Sequence, residues 1–312
     1  MPQPDLSIVI VNYHSLPELS ACLSSLAAVR NECAFEVIVV DNGSDDDSME
    51  RAQTEQPWCR YVALGQNRGF AGACNAGLEI AEGRHAMLLN PDTEVLPGAL
   101  PKLVLALDDH PTWGIVGPRM VDQSDQTYPA ARRFPTAWYL FCESTGLAKM
   151  FPRIKLFNGY LYGERVPQTL DDVEQIEGSA LMISERARQE VGNLDPQFFI
   201  FFEEVDWCRR VRAAGFETHV LSDAVIRHHR STTMSRFFVP SRVHHAESAM
   251  KYFRKHGGES GLNNLRRWMR AALWIRALTL RLARLVKSDP QLRLRLDGTQ
   301  AMRDAYRRGL TP

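Results

Sequence analysis

Nowhere in the 312 residues does an apolar run approach the roughly 20 residues that a helix needs to span a bilayer. A membrane-spanning protein is therefore not expected. The opening "MPQPDLSIVIVNY" has no basic segment ahead of its apolar residues, which argues against a signal peptide and for a cytoplasmic chain. Cysteine is sparse and irregular: Cys22, Cys33, Cys59, Cys74, Cys142 and Cys208 form no C-x-x-C pair, so reduced, buried thiols are expected rather than a disulfide framework. There is no G-x-x-x-x-G-K-[ST] phosphate loop, and no G-x-G-x-x-G follows the first apolar run, which counts against P-loop enzymes and dinucleotide binders. Net charge is absent too, but the zero hides a split. Residues 262–312 carry twelve Arg or Lys against three Asp, a balance of +9, and residues 1–261 carry −9. An acidic body argues against nucleic-acid binding, and the basic tail needs a partner of its own.

What is present is alternation. "LSIVIVNY" (6–13) and "FEVIVVD" (35–41) are continuous β-branched runs of the kind covered on both faces, each followed by a helical pattern. "CRYVALG" (59–65) supplies a third strand, "GFAGACNAGLEIAEG" (69–83) a helix of small residues, and "HAMLLN" (85–90) a fourth strand. Such βα repeats predict a mostly parallel central sheet flanked by helices, with ligands beyond the carboxyl ends of the strands. Residues 122–175 read as loops and short helices rather than sheet. "EQIEGSALMIS" (174–184) reads as one strand, "FFIFFEEVDWCRRVRAAG" (198–215) as an aromatic approach to an acidic helix start, and "VIRHHRSTT" (225–233) as a strand end with paired histidines. A helix near 240–256 is expected to break at Gly257 and Gly258.

Acidic residues collect at the strand ends: Asp41, Asp92, and the group Glu203, Glu204 and Asp206. Each has two readings at this point. Asp41 suits a helix N-cap or a ligand contact, Asp92 a turn after Pro91 or a metal ligand, and the three later acids a helix first turn or a catalytic cluster. "NRGFAGACNAG" (67–77) offers Asn67, Arg68, Gly69 and Asn75 near a helix start, where a backbone can approach a phosphate.

Taken together, "SIVIVNYHS", "VIVVDNGSDDDS", "NRGFAGACNAG", "LLNPDTEVLPGAL", "IEGSALMISERARQEVGNLDPQFFIFFEEVDWCRR" and "VIRHH" resemble the family 2 glycosyltransferases, over about residues 6–233. Within them, "NPD", "ARRFPT" and "FFEEVDWCRR" look most like the rhamnosyltransferase-like branch. The resemblance implies the GT-A fold, with a catalytic domain over 1–258, its nucleotide-binding half at about 1–121 and its acceptor and catalytic half at about 122–258. A basic helical tail at 259–312 completes the expected organisation.

The same resemblance implies site residues. Asn12, Asp41, Asn67, Arg68, Gly69 and Asn75 fall in the nucleotide-binding stretches, Gly178 and Ser179 where the family's small residues make room for the donor sugar, Asn90 where other members carry the first Asp of the metal motif, and Glu203 among the residues that bind substrate or nucleotide. Asp92 and His228 match the ligands of a Mg²⁺ or Mn²⁺ ion, with His229 as the second choice for the histidine. Glu204 matches the catalytic base of an inverting transfer, with Asp206 beside it. The implied partners are a dTDP- or UDP-sugar donor, with L-rhamnose as first guess, and a glycan acceptor on a polyprenyl diphosphate. Arg132 and Arg133 have two readings, phosphate contacts or solvated side chains.

In the tail, "LRRWMRAALWIRALTLRLARLVK" (265–287) sets Arg266, Arg267, Arg270, Arg281 and Arg284 on one arc and Trp268, Ala271, Ile275, Leu278, Leu282 and Val286 opposite. It fits an anionic membrane on the cytoplasmic face, or a surface of the same chain or of a second copy.

Overall fold

The computed structural model describes residues 3–162, 172–229, 238–286 and 289–310. Expectations that fall on 163–171 and 230–237, including the end of the "VIRHHRSTT" strand, lie outside the described residues. The chain divides into two compact units, one of Met1–Arg132, Val166–Phe199 and Glu203–Ser231, the other of Arg133–Arg165, Ile200–Phe202 and Thr232–Pro312.

The first unit opens with the expected alternation: β1 (Leu6–Asn12), α1 (Leu16–Ala28), β2 (Phe35–Asp41), α2 (Ser48–Glu55), β3 (Arg60–Ala63), α3 (Gly69–Glu79) and β4 (His85–Leu89). β1 is buried at every position, as a β-branched run covered on both faces must be. α3 lies close to it because its residues are small; a Cβ on Gly77 would stand 2.5 Å from Val9 Cγ1. Next come β5 (Thr93–Val95), α4 (Ala99–Asp109), β6 (Trp113–Val121) and β7 (Ala131–Arg132).

In the second unit follow α5 (Ala137–Thr145), α6 (Leu147–Met150) and α7 (Lys155–Asn158). The chain returns to the first unit with β8 (Gln175–Ile176), β9 (Ala180–Ile183), α8 (Glu185–Val191), α9 (Glu203–Ala213) and β10 (Glu217–His228). Two expectations are corrected here. Residues 122–175 are not free of sheet, since β7 pairs with β8 in a small antiparallel ladder. The segment 174–184 is two strands, because Glu177, Gly178 and Ser179 turn the chain between β8 and β9.

The main sheet has the order β3-β2-β1-β4-β9-β6-β10-β5. β3, β2, β1 and β4 run parallel, as do β6 and β10, whereas β9 and β5 are antiparallel to their neighbours. Asn12 pairs with Asp41 and Asp41 with Ala63, so the ends of three strands share one edge. β5 returns against β10 with Thr93 opposite His228.

The second unit also holds α10 (Phe238–Val286) and α11 (Pro290–Arg308). α10 kinks at Gly258, whose φ of +62° and ψ of −164° are not helical, in line with the expected break. The buried face of the tail differs from the one expected. Leu265, Met269, Ala272, Leu273 and Ala277 are buried, in a unit that also buries Leu292, Met302, Ala305 and Tyr306 of α11, while Leu278, Leu282 and Val286 are exposed. The helix is apolar on more than one arc, and neighbouring helices choose among arcs that periodicity cannot rank. Trp268 meets Trp138 and Phe141 of α5, each with ring centroids 5.1 Å apart. Among the described residues no helix is long and apolar enough to cross a membrane.

Candidate active site

Two polar clusters stand at the carboxyl edge of the first unit's sheet. In the first, Asp41 at the end of β2 accepts from Asn12 Nδ2 at 2.8 Å and from the backbone N–H groups of Gly43 and Ser44 at 3.2 and 3.0 Å. Asn12 is fully buried and also donates to Ser48 Oγ at 2.7 Å, while its Oδ1 accepts from Ser15 at 2.9 Å. Asn42 continues the ring: its amide donates to Asn67 Oδ1 at 3.0 Å and its Oδ1 accepts from the Arg68 N–H at 2.8 Å. The Gly69 N–H also donates to Asn67 Oδ1 at 2.9 Å. Only glycine fits at 69, because φ is +76° and a Cβ would lie 2.3 Å from the Phe199 carbonyl oxygen. The outcome is a set of loops locked by side-chain amides, with the Arg68 side chain exposed beside them.

The second cluster joins β4, β8–β9, β10 and α9. His228 Nε2 lies 3.1 Å from Asp92 Oδ1, and His228 Nδ1 lies 2.8 Å from the Tyr128 hydroxyl. That hydroxyl donates to Glu177 Oε1 at 2.9 Å, which also accepts from Ser179 Oγ at 2.9 Å. An ionised carboxylate has no proton to give, so the Tyr128 proton points to Glu177 and the oxygen must accept from His228 Nδ1–H. Nε2 then faces the Asp92 carboxylate, as a lone pair in the neutral ring and as a donor in the protonated one. His229 turns elsewhere: its N–H donates to the Asp92 carbonyl at 2.8 Å, and its Nε2 lies 3.8 Å from Glu94.

Glu177 leads on to α9. Arg132 Nη2 stands 3.5 Å from its second oxygen. A Cβ on Gly178 would lie 3.4 Å from Glu204 Cβ, so the small residue lets the helix start approach the β8–β9 turn. Glu204 Oε2 and Glu203 Oε2 are both buried without a hydrogen-bond partner. Burial raises the pKa of Glu204, against the pull of backbone N–H groups and Arg132, and Glu177 adds to the rise. Burial likewise raises Glu203 well above the ordinary carboxylate range, with Glu204 as the next cause. Asp206 faces a different way. It is fully buried and accepts from Arg210 Nε at 2.8 Å, and the same guanidinium donates to the Asn193 carbonyl at 2.8 Å.

The description "Glycosyl transferase family 2" matches residues 7–161, the stretch that contains both loop sets up to β7 and α5–α7. The chain belongs to that family. It is a glycosyltransferase with the GT-A fold. It is similar to an N-acetylglucosaminyl-diphospho-decaprenol L-rhamnosyltransferase of Mycobacterium tuberculosis, 28% identical over 242 residues that make up 74% of this chain and 78% of the relative. A low-salt glycan biosynthesis hexosyltransferase, Agl10, of Haloferax volcanii is 26% identical over 75% of this chain and 70% of its own. Among solved structures, a mannosyltransferase from Pyrobaculum calidifontis in complex with GDP-Man and Mn²⁺ superposes with a TM-score of 0.56 at 15% identity, over 97% of this chain and 86% of that one.

The glycosyltransferase gathers Asp92, His228, Ser179, Gly178 and Glu204 in one cluster, and Asn12, Asp41, Asn67 and Gly69 in the other. Asn75 sits apart, since its amide bonds both the N–H and the carbonyl of Leu194, at 3.0 and 2.8 Å. Asn90 enters through its backbone, its N–H on the Ser179 carbonyl at 2.9 Å and its carbonyl accepting from Thr93 Oγ1 at 2.7 Å. Sequence reasoning missed Tyr128, Glu177 and Asn42. Asn42 and Glu177 had a signal, because each directly adjoins a residue already singled out; Tyr128, in an irregular stretch, had none.

Proposed function

We propose that this glycosyltransferase moves a hexose, L-rhamnose from dTDP-rhamnose as first choice, to a lipid-linked glycan acceptor with inversion at the anomeric carbon. The observation that carries the reading is Glu204: a carboxylate with one oxygen buried and unpartnered and its pKa raised, at the end of the chain of contacts Asp92, His228, Tyr128, Glu177. A carboxylate whose pKa is raised by burial is a stronger base than an ordinary one, and its unpartnered oxygen is free to accept a proton. Glu204 takes the proton of the acceptor hydroxyl while that oxygen bonds to the anomeric carbon from one face. The bond to the nucleotide diphosphate breaks on the other, and the diphosphate leaves with the electron pair. Asp206, tied to Arg210, holds the helix that presents Glu204.

Asp92 and His228 fit a small divalent cation as a pair, because two adjacent ligands of an octahedral Mg²⁺ stand about 3 Å apart. Among the described residues no third His, Cys, Asp or Glu joins them. Asp92 and His228 would hold such a cation, and when bound it would neutralise the charge of the leaving diphosphate. The loops around Asn12, Asp41, Asn42 and Asn67 are the proposed nucleotide side. The rhamnosyl and lipid-linked choices draw on the mycobacterial relative, and a UDP-sugar is the alternative donor. On this reading the protein works at the cytoplasmic face of a membrane, where exposed Trp274, Leu278, Leu282 and Leu285 of α10 lie among exposed Arg267, Arg270 and Arg281.

The test is a thermal-shift screen of dTDP-, UDP- and GDP-sugars with Mn²⁺, followed by nucleotide release on a lipid-linked acceptor, since a ligand of the folded state raises its melting temperature. A shift with dTDP-rhamnose and acceptor-dependent release of dTDP is expected. A shift with UDP-sugars alone overturns the rhamnosyl assignment.

A further inference from the structure

Residues 144–162 contain Lys149, Arg153 and Lys155 and no Asp or Glu. They run from the end of α5 through α6 and α7, and four large apolar side chains at the reversal from α6 to α7 face solvent: Met150 (68% exposed), Phe151 (37%), Ile154 (46%) and Leu156 (61%). Eleven large hydrophobics are exposed among the described residues, and four of them fall within these seven positions, so the patch is not scatter.

The reversal is also well built. Asn158, itself buried, donates to the Pro152 carbonyl at 2.9 Å, and Trp138 Nε1 donates to the Leu156 carbonyl at 2.7 Å. The N–H groups of Ile154, Phe157 and Asn158 bond the carbonyls of Phe151 and Ile154 at 2.9–3.1 Å. Phe157 packs between Phe151 and Trp138, with centroids 5.1 and 6.3 Å away. Lys149, Arg153 and Lys155 make no ion pair with a described residue.

We propose that the α6–α7 reversal is a wedge that docks into the surface of an anionic lipid bilayer. Met150, Ile154 and Leu156 enter the headgroup boundary, and the three cations meet lipid phosphates. Backbone groups bonded within the turn are what an apolar medium requires. The alternation of cations with apolar side chains suits lipid better than protein, because Lys is depleted in protein interfaces but at a bilayer its stem lies in the apolar layer while the ammonium stays in the headgroups. Complementarity of charge then picks an anionic surface. The inference rests on the lipid-linked acceptor of the proposed function and adds a contact separate from α10.

Flotation with vesicles of phosphatidylcholine, alone or mixed with phosphatidylglycerol, tests it on the full chain. Two triple variants are compared: Met150→Ser/Ile154→Ser/Leu156→Ser, and Lys149→Gln/Arg153→Gln/Lys155→Gln. Every substituted side chain is at the surface, and unchanged melting temperature and unchanged turnover of a water-soluble acceptor verify the fold. The intact chain is expected to float only with phosphatidylglycerol vesicles. Loss of the three charges should weaken that binding on the order of a hundredfold at low salt, and loss of the apolar tips by at least about tenfold. If both variants bind like the intact chain while Leu278→Ser/Leu282→Ser/Leu285→Ser does not, the wedge is wrong and α10 alone carries the membrane contact. If the intact chain floats with neither vesicle, the wedge is wrong whatever the transfer assay gives. A dimer by light scattering that the apolar variant dissociates assigns the patch to a second copy and overturns the proposal.

Discussion

His228 Nε2 and Asp92 Oδ1 lie 3.1 Å apart although 136 residues separate them in the chain. The antiparallel pairing of β10 with β5, with His228 opposite Thr93, brings them together, and the Tyr128 hydroxyl lies 2.8 Å from the other imidazole nitrogen. Tyr128→Phe removes the hydroxyl and keeps the ring. Mn²⁺ affinity, read by electron paramagnetic resonance, should fall roughly 10–100-fold, as when outer partners of a metal ligand are lost. Equal affinity in the variant would show that Tyr128 does not orient His228.

Asp92→Asn keeps the shape of the loop and its backbone bond from His229. Turnover should drop by several kcal/mol in barrier while the melting temperature of the ligand-free protein stays close to that of the parent. Chelation of the parent should do the same, and full activity in excess EDTA would end the cation-dependent reading.

Glu204→Gln and Asp206→Asn should part company. The first should lower kcat roughly 10²–10⁴-fold with donor affinity little changed, the usual share of general-base catalysis. The second breaks a buried ion pair, and its expected effect is a loss of about 3 kcal/mol or more in unfolding free energy. Chemical denaturation and single-turnover kinetics separate the two. An inactive but stable Asp206→Asn beside an active Glu204→Gln would move the base to Asp206.

Glu203 gives a pH dependence with a definite sign. Its folded pKa is raised above the ordinary 4.5, so the folded state holds the proton more tightly than the unfolded one. The stability this contributes is present below about pH 4.5 and is lost as pH rises towards the folded pKa. Glu203→Gln should therefore unfold less readily than the parent at pH 8, by about 1–3 kcal/mol, and lose that advantage near pH 4. Denaturation curves at the two values check it; a gain independent of pH would trace the effect to something other than the charge.

The tail is not a removable anchor. Leu265, Met269 and Leu273 are at most 1% exposed, so truncation before residue 262 strips the second unit of its core. Leu273→Ala alone should cost about 2–5 kcal/mol, and the truncated chain should aggregate or melt early rather than simply leave vesicles.

The sequence by itself determined the βα alternation, the small-residue helix against β1 and the polar strand ends at one edge, because those signals are local. Burial on both faces demands β-branched runs, close approach demands Gly69 and Gly77, and parallel strands put their carboxyl ends together. Tertiary structure alone decided which strand ends meet. No periodicity announces that β9 inserts between β4 and β6, or that β5 returns along β10, yet those pairings set Asp92 against His228 and bring Glu177 towards Glu204. The three acids of α9 look alike in sequence. The fold separates them, sending Asp206 to Arg210 and leaving Glu203 and Glu204 each with an oxygen unbonded. The apolar arc of α10 was likewise undecided until α5 and α11 covered one side, since a helix with several apolar arcs takes its buried face from its neighbours.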